Sequence, residues 1–182
     1  MLTLFILILF AIAFYTGARR GLILQVLYTF GYLCSYLVAK TYYKSLASHL
    51  KLYIPYPSPT AETKLVFFDQ NITLDLDQAF YGAVAFLFIL ILGWLIVRLL
   101  AVFARGLVFV PVLKEANWLV GGLISLLVVY VGVFLVLSML SMLPVDVVQD
   151  QFKNSGLARF IIKDTPIFSK QIYHLWIEQM IK

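Results

Sequence analysis

Residues Leu2–Ala39 read LTLFILILF AIAFYTGARR GLILQVLYTF GYLCSYLVA, two uncharged apolar runs separated only by Arg19 and Arg20. The runs Leu2–Ala18 and Gly21–Ala39 hold 17 and 19 residues. A helix rises about 1.5 Å per residue and the hydrocarbon core is roughly 30 Å thick, so about 20 residues suffice to cross. Read as one helix, the stretch would be about 57 Å long. It would also hold two arginines at its centre, at about 2.5–3.5 kcal/mol each. Two spans turning at the arginines avoid that cost. Gly17 and Gly21 flank the corner, where glycine tolerates the left-handed backbone that ends a helix and lets two backbones approach. A cleaved signal peptide is the rival reading of the first run. It is disfavoured because no basic segment precedes Leu2 and no small-x-small cleavage site precedes a polar start.

Two further uncharged runs lie outward from this hairpin, Ala79–Val97 (19 residues) and Trp118–Leu143 (26 residues). The composition agrees. Of 182 residues, 63% are apolar and 13% charged, and the mean hydropathy is +0.96. A soluble surface needs about 25% charged residues, and disordered chains are poor in hydrophobes. Cys34 is the single cysteine, which excludes an internal disulfide framework and a thiolate-rich metal site. The fold class expected is an all-α membrane protein: four transmembrane helices at about 2–18, 21–39, 79–97 and 118–143. The first two form a short helical hairpin, and a tail occupies 144–182.

The net charge of +5 works as an orientation signal. Arg19, Arg20, Arg98, Arg105 and Lys114 crowd the first turn and the 98–117 connection, against Glu115 alone. The 40–78 loop and the tail carry nine basic residues against eight acids. By the positive-inside rule the dense basic turns are cytoplasmic, which places both termini outside the cytoplasm of a multi-pass plasma-membrane protein. The basic residues are juxtamembrane rather than one patch. Anionic lipid is therefore the expected partner at the basic turns, and nucleic acid is not.

In the 40–78 loop, Pro55, Pro57 and Pro59 forbid a helix, and Tyr53 and Tyr56 are placed as headgroup anchors. Leu65–Phe68 and Ile72–Leu74 flank polar Asp69-Gln70-Asn71 as a small hairpin would. Asp75 and Asp77 precede the third span, where carboxylates suit a helix N-terminus. Leu99–Leu113 shows a weak amphipathic pattern ended by Gly106 and Pro111. In the tail, Thr165-Pro166 reads as an N-cap with proline at the first helical position. Phe168, Ile172, Tyr173, Leu175, Trp176 and Met180 then fall on one arc, opposite Lys170, Gln171, His174, Glu178 and Lys182. Ile167, Ile177, Gln179 and Ile181 break the pattern. The expected amphipathic helix has Phe168, Ile172, Leu175 and Trp176 as its docking face. Docking on the membrane is favoured over docking on the spans or a partner.

No Asp, Glu, Lys, Arg or His lies within the four runs, which counts against a proton-driven carrier. Gln25 is the costliest polar residue there, and with Ser35 and Ser125 it defines a candidate polar pathway. Small residues recur four apart at Ala13/Gly17/Gly21, Gly31/Ser35/Ala39 and Gly121/Ser125. Such faces suit internal helix packing or self-association. His49 and His174 stand apart from any nucleophile or carboxylate motif, and no phosphate-loop, dinucleotide or metal-ligand spacing occurs. The expectation is no enzyme, no cofactor and no metal.

With these residues in hand, the chain resembles the CvpA family, the colicin V production proteins. The Gly17-x-x-Arg20-Gly21 corner is similar to that family's hallmark. The likeness continues through Ile54-Pro55-Tyr56-Pro57, Asn117-x-x-x-Gly121-Gly122 and Thr165-Pro166-Ile167, closest to the longer Gram-positive form. It departs at Trp118, where many relatives carry a basic residue, and at Ser125, where glycine is common. The resemblance implies a four-span bacterial inner-membrane protein that supports toxin production or export and envelope homeostasis. Gly17, Arg20, Gly21, Asn117, Gly121 and Gly122 become its motif residues. Arg20 is expected to hold the corner by its charge and by donating to helix-end carbonyls. The alternative is a small oligomeric channel or carrier.

Overall fold

The computed structural model of the chain describes residues 1–57, 59, 65–73, 75–103 and 114–181. The described residues form helices, turns and irregular connections, without a strand among them. Four helices are long and apolar enough to cross a membrane: α1 (Leu2–Arg20), α2 (Leu22–Leu50), α4 (Leu76–Phe103) and α5 (Lys114–Ser141). A single turn, α3 (Gln70–Thr73), lies between α2 and α4. Three short helices follow, α6 (Asp146–Lys153), α7 (Gly156–Asp164) and α8 (Phe168–Tyr173), the last running into a π-helical turn at His174–Glu178.

The helices outrun the uncharged segments. α2 continues through Lys40, Lys44 and His49 to Leu50, because an exposed basic side chain does not break a helix; the proline at 55 forbids further extension. α1 stops at Arg20 because Gly21 takes φ +77°, the left-handed conformation that closes a helix. α5 ends at Ser141, and Pro144, with no amide hydrogen, forbids its return. The expected hairpin at 65–74 is replaced by α3, where the Thr73 amide donates to Asp69 O at 3.1 Å and the Thr73 hydroxyl bonds the same carbonyl. The weak pattern at Leu99–Leu113 falls within α4 as far as Phe103; residues 104–113 lie outside the described residues.

The chain packs as two compact units. The first holds Met1–Thr3, Ala39–Phe88 and Phe134–Lys182. Its polar logic concerns the C-terminal end of α5, whose last carbonyls have no partner within the helix. Gln149 of α6, buried, donates to Ser141 O and Leu143 O at 3.2 and 2.8 Å and accepts from the Val66 amide at 3.0 Å. Tyr56 donates to Met142 O at 2.8 Å. Burial, with the charge of Asp77 and the phenol of Tyr81 adding to it, pushes the Tyr56 hydroxyl up to about 12. Ser155 caps α7 by accepting from the Ala158 amide at 3.2 Å, and its hydroxyl meets that of Thr3 at 2.8 Å.

The second unit holds Leu4–Val38 and Ile89–Val133. Here α2 and α4 pack through small residues. A Cβ on Gly31 would lie 2.5 Å from a Val97 methyl, and one on Gly93 would overlap the Ser35 side chain. Ser35 itself donates to Gly31 O at 2.9 Å, within its own helix. Leu24, Tyr28 and Ala101 form a buried cluster beside them, with Tyr32 and Val97 packed against it.

Candidate functional site

Four of the six motif residues meet in one joint of the second unit. α1 and α2 are linked by Gly21 alone, and the chain there has no room for a side chain. A Cβ on Gly17 would lie 2.5 Å from Gly121 O and would overlap Ser125 Cβ. A Cβ on Gly121 would lie 2.8 Å from Gly17 O and 2.9 Å from Gly21 C. The obstacles are mostly backbone, which cannot swing away. Close approach of α1 to α5 thus requires glycine at both positions. Gly122 faces the Phe14 ring, which a Cβ would meet at 2.8 Å, and Phe14 in turn stands edge-on to Trp118 with centroids 6.2 Å apart.

Asn117 closes the joint. The first amides of a helix lack intrahelical acceptors, and Gly21, preceding α2, has no side chain to cap them. Asn117 Oδ1, brought in by α5, accepts from the Leu22 amide at 2.6 Å. The same side chain fills the space where a Gly21 Cβ would stand, at 2.8 Å from Oδ1 and 2.9 Å from Nδ2. The carboxamide therefore does two jobs: it caps α2 from another helix and packs against the left-handed residue.

The family model of colicin V production protein matches residues 2–166, which takes in the whole joint. The chain belongs to the colicin V production protein family. The "Uncharacterized transmembrane protein YshB" of Bacillus subtilis (strain 168) is 35% identical over 179 residues, 98% of each chain. No solved structure matches the chain. It is an integral membrane protein of this family by its match and by its four apolar helices.

Within this family member, the contact that Arg20 makes differs from the carbonyl contact expected of it. Its guanidinium donates to no helix-end carbonyl among the described residues; it lies over the Tyr28 ring, 4.5 Å from the centroid. The corner is held by the Asn117 cap on the Leu22 amide and, at the end of α1, by the Gly21 amide, which donates to Gly17 O at 3.1 Å. The candidate polar pathway is not drawn together. Ser125 sits at the α1–α5 contact against Gly17, and Ser35 at the α2–α4 contact against Gly93. Gln25 is 1% exposed, and its Oε1 has no hydrogen-bond partner among the described residues.

The tail face lies in the first unit. Ile172, Leu175 and Trp176 are buried and Phe168 is half-buried. Trp176 stands edge-on to Phe86 of α4 at 5.6 Å, Tyr43 of α2 donates to Leu175 O at 2.7 Å, and Met180 lies where a Gly82 Cβ would stand. This face is docked on the spanning helices, not turned to the bilayer. The helix start is also displaced. Thr165 ends α7 and its hydroxyl bonds Ile161 O, while α8 begins at Phe168 after Ile167 at φ 68°. Ile177, which broke the 100° pattern, is buried because the π turn adds a residue: the Gln179 amide reaches back five residues to His174 O at 3.0 Å. Leu175, Trp176 and Ile177 are then buried in succession. His49 and His174 have local partners, Ser45 O at 2.9 Å and Glu178 Oε2 at 2.6 Å.

Proposed function

We propose that this protein is a non-enzymatic component of the bacterial plasma membrane that supports production or export of a peptide toxin and, more broadly, envelope homeostasis. It acts through contacts with membrane and protein partners. The observation that carries the reading is the use made of the motif residues: within a chain matched to the family over residues 2–166, Gly17, Gly21, Asn117 and Gly121 meet each other and hold helices together. They serve architecture, so the role is one of presenting surfaces. The surfaces open to a partner are the outer residues of the tail helices, where Phe160 is 57% and Ile167 77% exposed. Both termini lie outside the cytoplasm in this reading, following the basic turns.

The test is a photo-crosslinking residue at Phe160 or Ile167, activated in native membranes. The reading expects a discrete protein adduct; adducts to lipid alone at both positions refute it. The channel or carrier remains the second reading, favoured by one observation, the Gln25 Oε1 inside a spanning helix that has no hydrogen-bond partner among the described residues. Purified protein in liposomes that passes solute or ions, and stops doing so with Gln25→Leu, would establish that reading in place of the first.

A further inference from the structure

We propose that the cleft beside the joint binds the headgroup of an anionic phospholipid. It goes beyond the role proposed above and does not depend on it. The cleft has a volume of about 450 Å³ and is lined by Arg20, Leu24, Tyr28, Leu95, Arg98, Leu99 and Val102, within the range of ligand-holding clefts, roughly 300–1,000 Å³. Among the described residues its charged lining is Arg20 and Arg98, whose guanidinium carbons lie over aromatic rings, Arg20 over Tyr28 at 4.5 Å and Arg98 over Trp94 at 4.9 Å from the centroid. Such a contact neutralises no charge and occupies no oxygen acceptor, so a guanidinium over a ring still has N–H donors to offer an anion. Neither arginine has a hydrogen bond or a carboxylate partner among the described residues. Two guanidinium groups in one cleft, with no acceptor among the described residues, suit a phosphate, which accepts from such forks.

The rest of the cleft selects the kind of phosphate. Leu95, Arg98, Leu99 and Val102 follow the three- and four-residue spacing of one helix face, on the last turns of α4. Leu99 is 68% exposed and Leu95 and Val102 are nearly half exposed. On a spanning helix an exposed leucine stripe faces hydrocarbon, so one strip presents a cation and an acyl-chain surface together. A soluble anion would use only the arginines; a phospholipid uses both. Headgroup-binding basic pockets between spanning helices follow the same logic.

The experiment is native mass spectrometry of the full chain released from micelles, titrated with phosphatidylglycerol, phosphatidylcholine or soluble glycerol phosphate. Phosphatidylglycerol should be retained in preference to phosphatidylcholine. Arg98→Gln should weaken that retention about fivefold and Arg20→Gln with Arg98→Gln about 25-fold, at the worth of one basic residue each near an anionic headgroup. Lys153→Gln, in the other unit, should leave it unchanged. If the double variant does not fold, Arg98→Gln and Leu99→Asn decide alone, each checked by its helical circular dichroism. Leu99→Asn should lower phosphatidylglycerol retention while Arg98 remains. Equal retention of the two lipids, full retention in folded Arg98→Gln, or displacement of the lipid by glycerol phosphate would overturn the proposal, the last by assigning the cleft to a soluble anion.

Discussion

Replacing Gly21 by alanine and Asn117 by alanine, singly and together, isolates what holds the joint. Gly21→Ala carries two separable costs. The first is conformational, since a Cβ at φ +77° costs about 1–2 kcal/mol. The second is steric, since the Cβ would stand 2.8 Å from Asn117 Oδ1. The cheapest escape is for the Asn117 carboxamide to swing aside, which forfeits its 2.6 Å bond to the Leu22 amide. Losing a helix cap costs about 0.5–2 kcal/mol, so the steric part is capped at that value. Asn117→Ala in the native background should cost the same about 0.5–2 kcal/mol. Gly21→Ala should cost about 1.5–4 kcal/mol, the sum of the two parts. In the Gly21→Ala background the bond is already gone, so Asn117→Ala should add nothing. The coupling energy is therefore the whole cost of the cap, inside the roughly 0.5–3 kcal/mol seen for residues in contact. Reversible unfolding in mixed micelles, followed by tryptophan fluorescence, measures it, because Trp118 sits next to the joint. Equal costs for Asn117→Ala in both backgrounds would refute the argument.

Other substitutions test the remaining contacts. Gly121→Ala, whose Cβ meets the Gly17 and Gly21 backbone, should destabilise by about 1–3 kcal/mol, while Gly132→Ala, with nothing within 4 Å, should be neutral or stabilising by up to about 1 kcal/mol in the same unfolding assay. Trp176→Ala should cost about 3–5 kcal/mol and render the tail sensitive to protease, since it removes the ring set against Phe86. Gln25→Leu should leave stability unchanged or raise it, because an unpartnered buried oxygen carries a desolvation penalty of about 1–3 kcal/mol; a clear loss of stability would show that Gln25 has a partner after all. Tyr56 keeps its proton to about pH 12 whereas the unfolded phenol releases it near 10. The contribution of Tyr56 to stability should thus be constant below about pH 10 and be lost as pH rises from about 10 to 12, where only the folded state retains the proton; Tyr56→Phe should make the alkaline fall shallower.

The four spans were legible because crossing hydrocarbon demands long uncharged runs, a demand visible in Leu2–Ala39 alone. Helix ends were less so. α2 runs past Ala39 to Leu50, since lysines on its last turns reach water without disturbing the backbone. The joint was half visible. Gly17, Gly21, Gly121 and Asn117 were marked by spacing or resemblance, yet the partner of Asn117 is a main-chain amide 95 residues away, which no side-chain pattern records. Gly93 was not singled out, although the small-residue face Gly31/Ser35 implies a small residue opposite. Charge and donation to helix-end carbonyls are what the sequence suggests for Arg20, whereas its guanidinium lies over an aromatic ring eight residues on, a contact that charge counting does not reveal. In the tail a 100° wheel found the buried face of α8 but failed at Ile177, because a π turn shifts the phase by one residue. Thr165-Pro166 carries the letters of a helix start, and the positive φ at Ile167 moves that start to Phe168.

The claim on which the rest depends is that Asn117 of α5 caps α2 across the glycine joint. Solid-state NMR on bilayer-reconstituted protein, with nitrogen-15 at the Leu22 amide and carbon-13 at the Asn117 carboxamide, measures it directly. A hydrogen bond of this length places the two nuclei within about 4 Å, so a strong dipolar transfer is predicted, together with slow exchange of the Leu22 amide that Asn117→Ala abolishes. Absence of transfer with a freely exchanging Leu22 amide in the native protein would contradict the account.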